Sequence, residues 1–354
     1  MFVRFKKIAV RGISSVIPKE KLILSELSEV YPEKALKRII KLTGIESVHI
    51  APADVTASDY CIKAVEILLR ELNVDKLDVD ALLFVTQTPD YIIPHTTAIM
   101  QDRLGLRNDI ITFDINYGCA GYIYGLFQAY SLINTGACKN VILCCGDTLS
   151  KYINEKDRSL RMVMGDAGSA TLISSVDNAL DSVFSFYTDG SGAKELIIPA
   201  GAGRKKHLSG VTDIETVDSD GNVRTEEDLY MNGMEIMNFA LSDVKNIIEQ
   251  TISECGIERN EINLYLFHQA NETIVKYLSK ALKIDSSKVP LSVKNNGNTS
   301  SCSIPLLMCN EYGEKRNTNI CMDNVLLCGF GTGLSVGVCY TNFNGVRFCE
   351  TDFM

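Results

Sequence analysis

Residues 71–84 read ELNVDKLDVDALLF and residues 254–267 read ECGIERNEINLYLF, an offset of 183. In both, a helix end is followed by an apolar residue, a polar step of five residues and a buried strand. A second pair agrees at an offset of 184: Asn140-Val141-Ile142-Leu143-Cys144 against Asn324-Val325-Leu326-Leu327-Cys328. A third shares the plan more than the letters. Asp114-Ile115-Asn116-Tyr117-Gly118-Cys119 leads into the helix-like run Gly121–Thr135, and Ser292-Val293-Lys294-Asn295-Asn296-Gly297-Asn298 leads into Thr299–Tyr312. Recurrent spacing of this kind is the mark of an internal repeat. The chain reads as two pseudo-symmetric halves.

Around these anchors strands and helices alternate, which implies an α/β fold with mixed, mostly parallel sheets and helices on both faces. The spacing predicts helices over Ser58–Leu72, Gly121–Thr135, Met234–Cys255 and Thr273–Leu282. It predicts strands over Ala81–Thr86, Asn140–Cys145, Ser169–Ser174, Asn263–Phe267 and Asn324–Cys328, with a first strand in Met1–Val10. The N-terminal half is expected over 1–175, connecting strands and a loop or lid over 176–230, and the C-terminal half over 231–354. Within the middle stretch, 199–229 carries Gly, Lys, Asp and Ser with little periodicity, as a surface loop would.

Bulk properties narrow the function. With 354 residues, 46% hydrophobic and 22% charged, the chain is an ordinary globular sequence long enough for two core-forming units. A formal net charge of -9 argues against a nucleic-acid binder. No run approaches the roughly 18 apolar residues that span a bilayer, and the N-terminus lacks the pattern of a signal peptide. Twelve cysteines with no CxxC pair, most of them in apolar runs, read as reduced thiols in a cytoplasmic protein.

Three residues stand out chemically. Cys119, in Tyr117-Gly118-Cys119-Ala120-Gly121, sits at a strand-to-helix turn whose helix dipole is expected to lower the thiol pKa. As one of twelve cysteines it could equally be a packing residue; the glycine-flanked turn favours a nucleophile. His268, one of four histidines, follows the apolar strand Leu264–Phe267, and strand carboxyl ends are where α/β sheets gather ligands. A hydrogen-bonded core histidine is the plainer alternative. Asn298, in Asn295-Asn296-Gly297-Asn298-Thr299, would taken alone be a turn or helix cap. Its position as the counterpart of Cys119 in the other half suggests that the two meet at the junction. Gly329-Phe330-Gly331-Thr332-Gly333 lacks the spacing of a dinucleotide or phosphate loop and better suits backbone N–H groups aimed at an oxyanion.

The order of short motifs resembles β-ketoacyl-acyl-carrier-protein synthase III, a condensing enzyme of the thiolase superfamily. The resemblance runs nearly end to end. It rests on Thr43-Gly44-Ile45, Thr88-Pro89-Asp90, Pro94, Cys119-Ala120-Gly121, Asp157-Arg158, Gly165-Asp166-Ala167-Gly168, Asp189-Gly190-Ser191, His268-Gln269-Ala270-Asn271, Gly297-Asn298-Thr299-Ser300 and Gly329-Phe330-Gly331. It implies a thiolase fold in a layered α-β-α-β-α arrangement and a Cys119–His268–Asn298 triad. In the chemistry it implies, Cys119 takes an acyl group from a CoA thioester. His268 and Asn298 then stabilise the enolate left by decarboxylation of malonyl-acyl carrier protein, and the N–H groups of Cys119 and Thr332 hold the oxyanion. No metal or other cofactor is implied. The partners would be acyl-CoA, acyl carrier protein and a second copy of the chain, whose Ile93 would help Phe330 to shape the acyl pocket.

Departures from the resembling pattern gather at the donor site. The chain has no tryptophan, and Arg38 takes the place of an adenine-stacking one. Leu42 replaces a basic residue, Met234, after Gly233, a pantetheine-contacting amide, and Thr273 an arginine. Arg158 keeps its adenine-contacting identity, while Lys276 and Lys280, four apart, could meet an acidic carrier protein or simply be solvated. Two other activities fit the same residues: acyl transfer to an ester or amide acceptor without decarboxylation, and a non-catalytic partner subunit. The intact triad argues against the second.

Overall fold

Strand pairing reproduces the repeat. In the computed structural model, which describes residues 1–313 and 322–354, Ala81–Val85 runs parallel to Asn140–Asp147 with Ala81 opposite Val141. In the other half Leu264–Phe267 runs parallel to Val325–Gly331 with Leu264 opposite Val325. Each pair belongs to a mixed sheet. The first runs, from one edge, through Ile8–Ile17, Ala167–Ser175, Asn140–Asp147 and Ala81–Val85 to Ile111–Ile115, with the short C-terminal strands Arg347–Phe348 and Asp352–Phe353 beside Ile8–Ile17. The second is Phe2–Phe5, Ser182–Thr188, Ser335–Thr341, Val325–Gly331, Leu264–Phe267.

The layering follows from side-chain chemistry. Gly121–Asn134, GYIYGLFQAYSLIN, has no charged residue in fourteen positions, so it must be covered on several sides. It lies with Ser303–Tyr312 between the two sheets, where Tyr122, Leu126 and Leu307 share one core with Leu143 of the first sheet and Leu327 of the second. Ala57–Leu72 has a charged face and covers the outside of the first sheet through Tyr60, Ala64 and Leu68. Its start is fixed by a capping box between Thr56 and Asp59. Lys245–Cys255 and Glu272–Ala281 cover the outside of the second sheet in the same way. The result is five layers, helix–sheet–helix–sheet–helix.

Three expectations change. The N-terminal strand is two strands, Phe2–Phe5 and Ile8–Ile17, broken at Lys6-Lys7 where Lys7 has φ 61°. Phe2–Phe5 crosses to pair with Ser182–Thr188 of the second sheet, so the halves exchange strands across a boundary at 175. The long helix over Met234–Cys255 is Gly233–Phe239, a π turn at Ala240–Val244, then Lys245–Cys255. Its buried residues Ala240, Val244, Ile248 and Ile252 recur every four positions. That spacing outruns 3.6 residues per turn, and one wider turn keeps the apolar face on the sheet. Finally, Ser292–Asn298 holds a single helical turn, Val293–Asn296, before Gly297, and the helix that follows starts at Ser303 after a 3-10 turn.

Candidate active site

The repeat brings its two special turns together at the junction of the halves. Cys119 lies just ahead of the central helix that starts at Gly121, and is buried. The Val325–Gly331 strand presses against it. A Cβ at Gly331 would lie 2.7 Å from the Cys119 Cβ and 3.1 Å from its sulfur, so only glycine permits this approach. On the other side Gly297 has φ +65° and a Cβ there would meet the Val163 carbonyl oxygen at 2.5 Å, which fixes the turn that delivers Asn298. Asn298 is clamped by its backbone: its N–H donates to Val163 (2.8 Å) and its carbonyl accepts from Gly165 (3.0 Å).

Side-chain hydrogen bonds set which donors remain free. Oδ1 of Asn298 accepts from the Ser300 N–H at 2.9 Å, which leaves the amide NH2 to donate, and it hydrogen-bonds the Cys119 sulfur. His268 follows its strand as expected, with its N–H on the Cys328 carbonyl. Its Nδ1 is 2.7 Å from the Ser303 Oγ, and Phe330 meets the ring edge-on. Ser303 Oγ accepts from the Gln269 N–H, so its own proton can go to Nδ1, placing the imidazole proton on Nε2. Burial drives the His268 pKa down to about 3, so the ring is neutral.

The thiol corrects an expectation. Burial pushes Cys119 up to about 12, and the Asp147 carboxylate adds to the rise, against the lowering effect of Ser300 and Asn298. Cys119 stands before the first helical residue and is fully desolvated, and burial is the largest influence on its thiol. Asp147, itself fully buried and held by the Gln87 N–H (2.7 Å) and the Ser301 hydroxyl (2.9 Å), adds negative potential from behind. The resting nucleophile is therefore a thiol. We expect iodoacetamide inactivation of the free protein to accelerate about tenfold per pH unit between pH 7 and 9, as thiolate fraction does below its pKa. A plateau in that range would show a low-pKa cysteine instead.

Cys119, His268 and Asn298 line one cavity of about 270 Å³. A more open cleft of about 830 Å³, near Lys21 and His49, contains none of them, so the smaller cavity is the candidate site on chemistry rather than size. Its remaining walls are mostly apolar, and among the described residues no charged side chain lines it. Phe330, Gly233 and Thr273 belong to it, with the Thr273 hydroxyl donating to the Leu42 carbonyl. Among the described residues, neither the Cys119 nor the Thr332 N–H is engaged by a backbone carbonyl, and the Cys119 N–H reaches its own sulfur.

Other expected contacts lie elsewhere. Arg38 is exposed outside the cavity, and Met234, at 74% exposure, does not line it. Arg158 donates to the Asp220 carbonyl, Lys276 pairs with Glu272, and Lys280 is exposed on the same helix. Ile93 is 83% exposed in a loop with Tyr91 and Ile92, so it forms no part of this chain's own cavity. Sequence reasoning missed Ser303 and Asp147. A serine at a helix start and an aspartate at a strand end carry no signal until the fold places one against His268 and the other behind Cys119.

Fold and site together define a condensing enzyme of the thiolase fold. Residues 113–192 match the sequence model for 3-oxoacyl-[acyl-carrier-protein (ACP)] synthase III, and residues 252–343 match that for the C-terminal part of the same enzyme. A beta-ketoacyl-[acyl-carrier-protein] synthase III of Campylobacter fetus is 32% identical, over 96% of this chain and 99% of that protein. One of Caldanaerobacter subterraneus is also 32% identical, over 92% and 94%. The crystal structure of a 3-oxoacyl-(acyl-carrier protein) synthase from Burkholderia xenovorans superposes with a TM-score of 0.91 at 31% identity, covering 100% of this chain and 99% of that one. The chain belongs to the 3-oxoacyl-[acyl-carrier-protein] synthase III family and is an acyltransferase of that type.

Proposed function

We propose that the protein transfers an acyl group to Cys119 and then condenses it, with loss of carbon dioxide, onto malonyl-acyl carrier protein. In the first half-reaction the Cys119 sulfur attacks the donor thioester carbonyl, and the oxyanion rests on the N–H groups of Cys119 and Thr332. The leaving thiolate departs with the proton that the Cys119 thiol gives up. In the second, the bond between the malonyl methylene and its carboxylate breaks and carbon dioxide leaves. The electron pair moves to the thioester oxygen, held by Nε2–H of His268 and the amide of Asn298. The enolate carbon attacks the acyl-cysteine, and the released sulfur takes a proton from solvent. No metal or redox cofactor enters this sequence.

One observation carries the reading. The Asn298 oxygen and the His268 Nδ1 are both occupied by protein partners, Ser300 and Ser303, which leaves their N–H donors for the cavity that they share with the thiol. A neutral imidazole that donates, rather than one that takes a proton, suits an enolate. The uncharged cavity wall and the loss of contacts at Arg38 and Met234 support a poor fit for acetyl-CoA and a preference for a longer or carrier-bound donor. The strand Ile111–Ile115 ends its sheet with no neighbour on its outer side among the described residues, and Tyr91, Ile92 and Ile93 are exposed. An open edge beside exposed apolar residues supports a homodimer. Among the described residues no helix is long and apolar enough to cross a membrane, which is in keeping with a cytoplasmic enzyme.

Intact-mass measurement after incubation with acyl-CoAs and acyl carrier proteins, paired with carbon dioxide release from malonyl carrier protein, tests this proposal. We expect one acyl adduct and stoichiometric carbon dioxide. Loading from acetyl-CoA should be about tenfold or more slower than from the preferred donor, and about thirtyfold if two lost contacts of roughly 1 kcal/mol each add in full. Rapid loading from acetyl-CoA that slows in high salt would mean that basic residues near the turn, such as Arg38 and Lys41, replace those contacts by pairing with phosphates. An adduct without carbon dioxide would point to transfer onto a different acceptor.

A further inference from the structure

The thiol proton of Cys119 has no acceptor in the cavity. Burial holds the thiol in its neutral form, so its hydrogen must go to a base as the sulfur attacks. His268 cannot be that base. Its ring is kept neutral by burial, its Nδ1 is occupied by Ser303, and its Nε2 already carries a hydrogen. The Asn298 amide can only donate, and among the described residues no charged side chain lines the cavity. The base has to lie behind the thiol.

Two residues stand there. Ser300 is 1% exposed, yet among the described residues its hydroxyl makes no hydrogen bond of ordinary geometry. Buried polar atoms are nearly always paired, and exceptions gather at catalytic sites. Its backbone is unusual as well: φ is 51°, in the left-handed region that residues other than glycine seldom enter. The Ser300 N–H secures this turn by donating to Oδ1 of Asn298 at 2.9 Å. The turn sets the hydroxyl beside both the Cys119 sulfur and the Asp147 carboxylate, near enough to favour the charged form of each. Asp147 accepts from the N–H groups of Gln87 (2.7 Å) and Ser301 (3.4 Å) and from the hydroxyls of Thr86 (3.2 Å) and Ser301 (2.9 Å). Backbone N–H groups can only donate, so this cradle suits the ionised carboxylate.

We propose that Ser300 and Asp147 form the proton relay of Cys119, in which the Ser300 hydroxyl is a catalytic group touching the reacting sulfur and Asp147 acts through it. The inference rests on acyl transfer to Cys119, as read above, and supplies the base which that step needs. As the sulfur bonds to the thioester carbonyl carbon, the thiol proton passes to the Ser300 oxygen. The Ser300 proton passes to Asp147, and the carbonyl π pair moves onto its oxygen. When that pair returns, the bond from carbon to the leaving sulfur breaks. The departing thiolate takes the proton that Asp147 gives back through Ser300, and the carboxylate is restored. Burial raises the proton affinity of Asp147 above that of an exposed carboxylate, which makes it the stronger base. The other ionisable groups that face it are the thiols of Cys61, Cys145 and Cys302, all pushed up by burial and neutral. Because the hydroxyl bonds neither partner as it stands, the relay is open in the free protein and closes as the acyl donor fills the cavity. Alkylation of the free thiol therefore still follows the thiolate.

The test measures two reactions of the wild-type protein, Ser300→Ala and Asp147→Asn: single-turnover loading from saturating octanoyl-CoA or octanoyl-acyl carrier protein, and alkylation by iodoacetamide. Wild-type loading should be flat between about pH 7 and 9 and fall toward acid, where Asp147 takes up a proton. Each variant should load about 10²-fold more slowly at neutral pH, the scale of a lost general base. Its loading should then rise about tenfold per pH unit, because only preformed thiolate attacks. Alkylation should move the other way in Asp147→Asn, about twofold or more faster, since the carboxylate that raises the thiol is gone. Structural damage would slow both reactions. Ser300→Ala removes a hydroxyl that completes no hydrogen bond, so its thermal unfolding should match wild type, and it decides the matter alone if Asp147→Asn does not fold. Wild-type loading by Ser300→Ala overturns the relay, as does slow loading with the flat profile kept, or a tenfold rise per pH unit already present in the wild type. If the wild-type protein takes an acyl group from neither donor, acyl transfer to Cys119 itself fails, a result distinct from the others.

Discussion

Cys119→Ala is expected to abolish the acyl adduct and to lower condensation by about 10⁴-fold or more, the scale seen when a covalent nucleophile is removed. The alanine Cβ occupies the place the cysteine Cβ holds against Gly331, so the variant should fold. The expectation has force because the chain offers many decoys. Cys302 and Cys328 are buried within a few residues of the site, and burial pushes both of their thiols well up. Neither lines the cavity. Peptide mapping of the loaded wild-type protein should give one thioester, at Cys119. A stable adduct at Cys302 or Cys328, or an adduct that survives in Cys119→Ala, would overturn the assignment.

How far the sequence carried this result depends on the length of the signal each feature needs. The repeat was legible because matched spacings at 183 and 184 became matched strand registers, Ala81 with Val141 and Leu264 with Val325. His268 was legible because it closes the apolar strand Leu264–Phe267, and Cys119 and Asn298 because their glycine-containing turns fall at matching places in the two halves. The environment of the thiol was not. A turn before a helix suggests a lowered pKa, but the opposing contributions come from burial and from Asp147, which is 28 residues further along the chain and reaches the site only through the fold. The strand exchange by Phe2–Phe5 was hidden for the same reason, since a four-residue strand says nothing about its sheet. The stretch over 199–229 read as a plain loop because its anchors, Arg224 on Asp157 and Thr212 on Glu227, link polar residues far from any periodic pattern.

The division of labour between the half-reactions should be visible in three substitutions. His268→Ala and Asn298→Ala each remove one N–H donor from the proposed enolate site, and losing a donor to a developing oxyanion commonly costs about 10²–10³ in rate. Malonyl decarboxylation and condensation should therefore fall by that factor. Acyl loading should change less, because its oxyanion is assigned to backbone N–H groups that neither variant touches. Asn298→Ala is the more demanding of the two, since the amide also hydrogen-bonds the Cys119 sulfur, so a loss of several-fold in loading is expected there and less in His268→Ala. Ser303→Ala removes the hydroxyl that holds Nδ1 and so lets the imidazole proton shift away from Nε2. It should lower decarboxylation about tenfold or more while leaving loading intact, the penalty typical of losing a residue that orients a histidine from behind. Because burial keeps His268 neutral down to about pH 3, the decarboxylation rate should show no break near pH 6.5 from this residue. Single-turnover loading and carbon dioxide release, measured separately on variants whose thermal unfolding matches wild type, decide the matter. Equal collapse of both half-reactions, or an imidazole titration near neutral pH in the decarboxylation profile, would refute the roles assigned to His268 and Asn298.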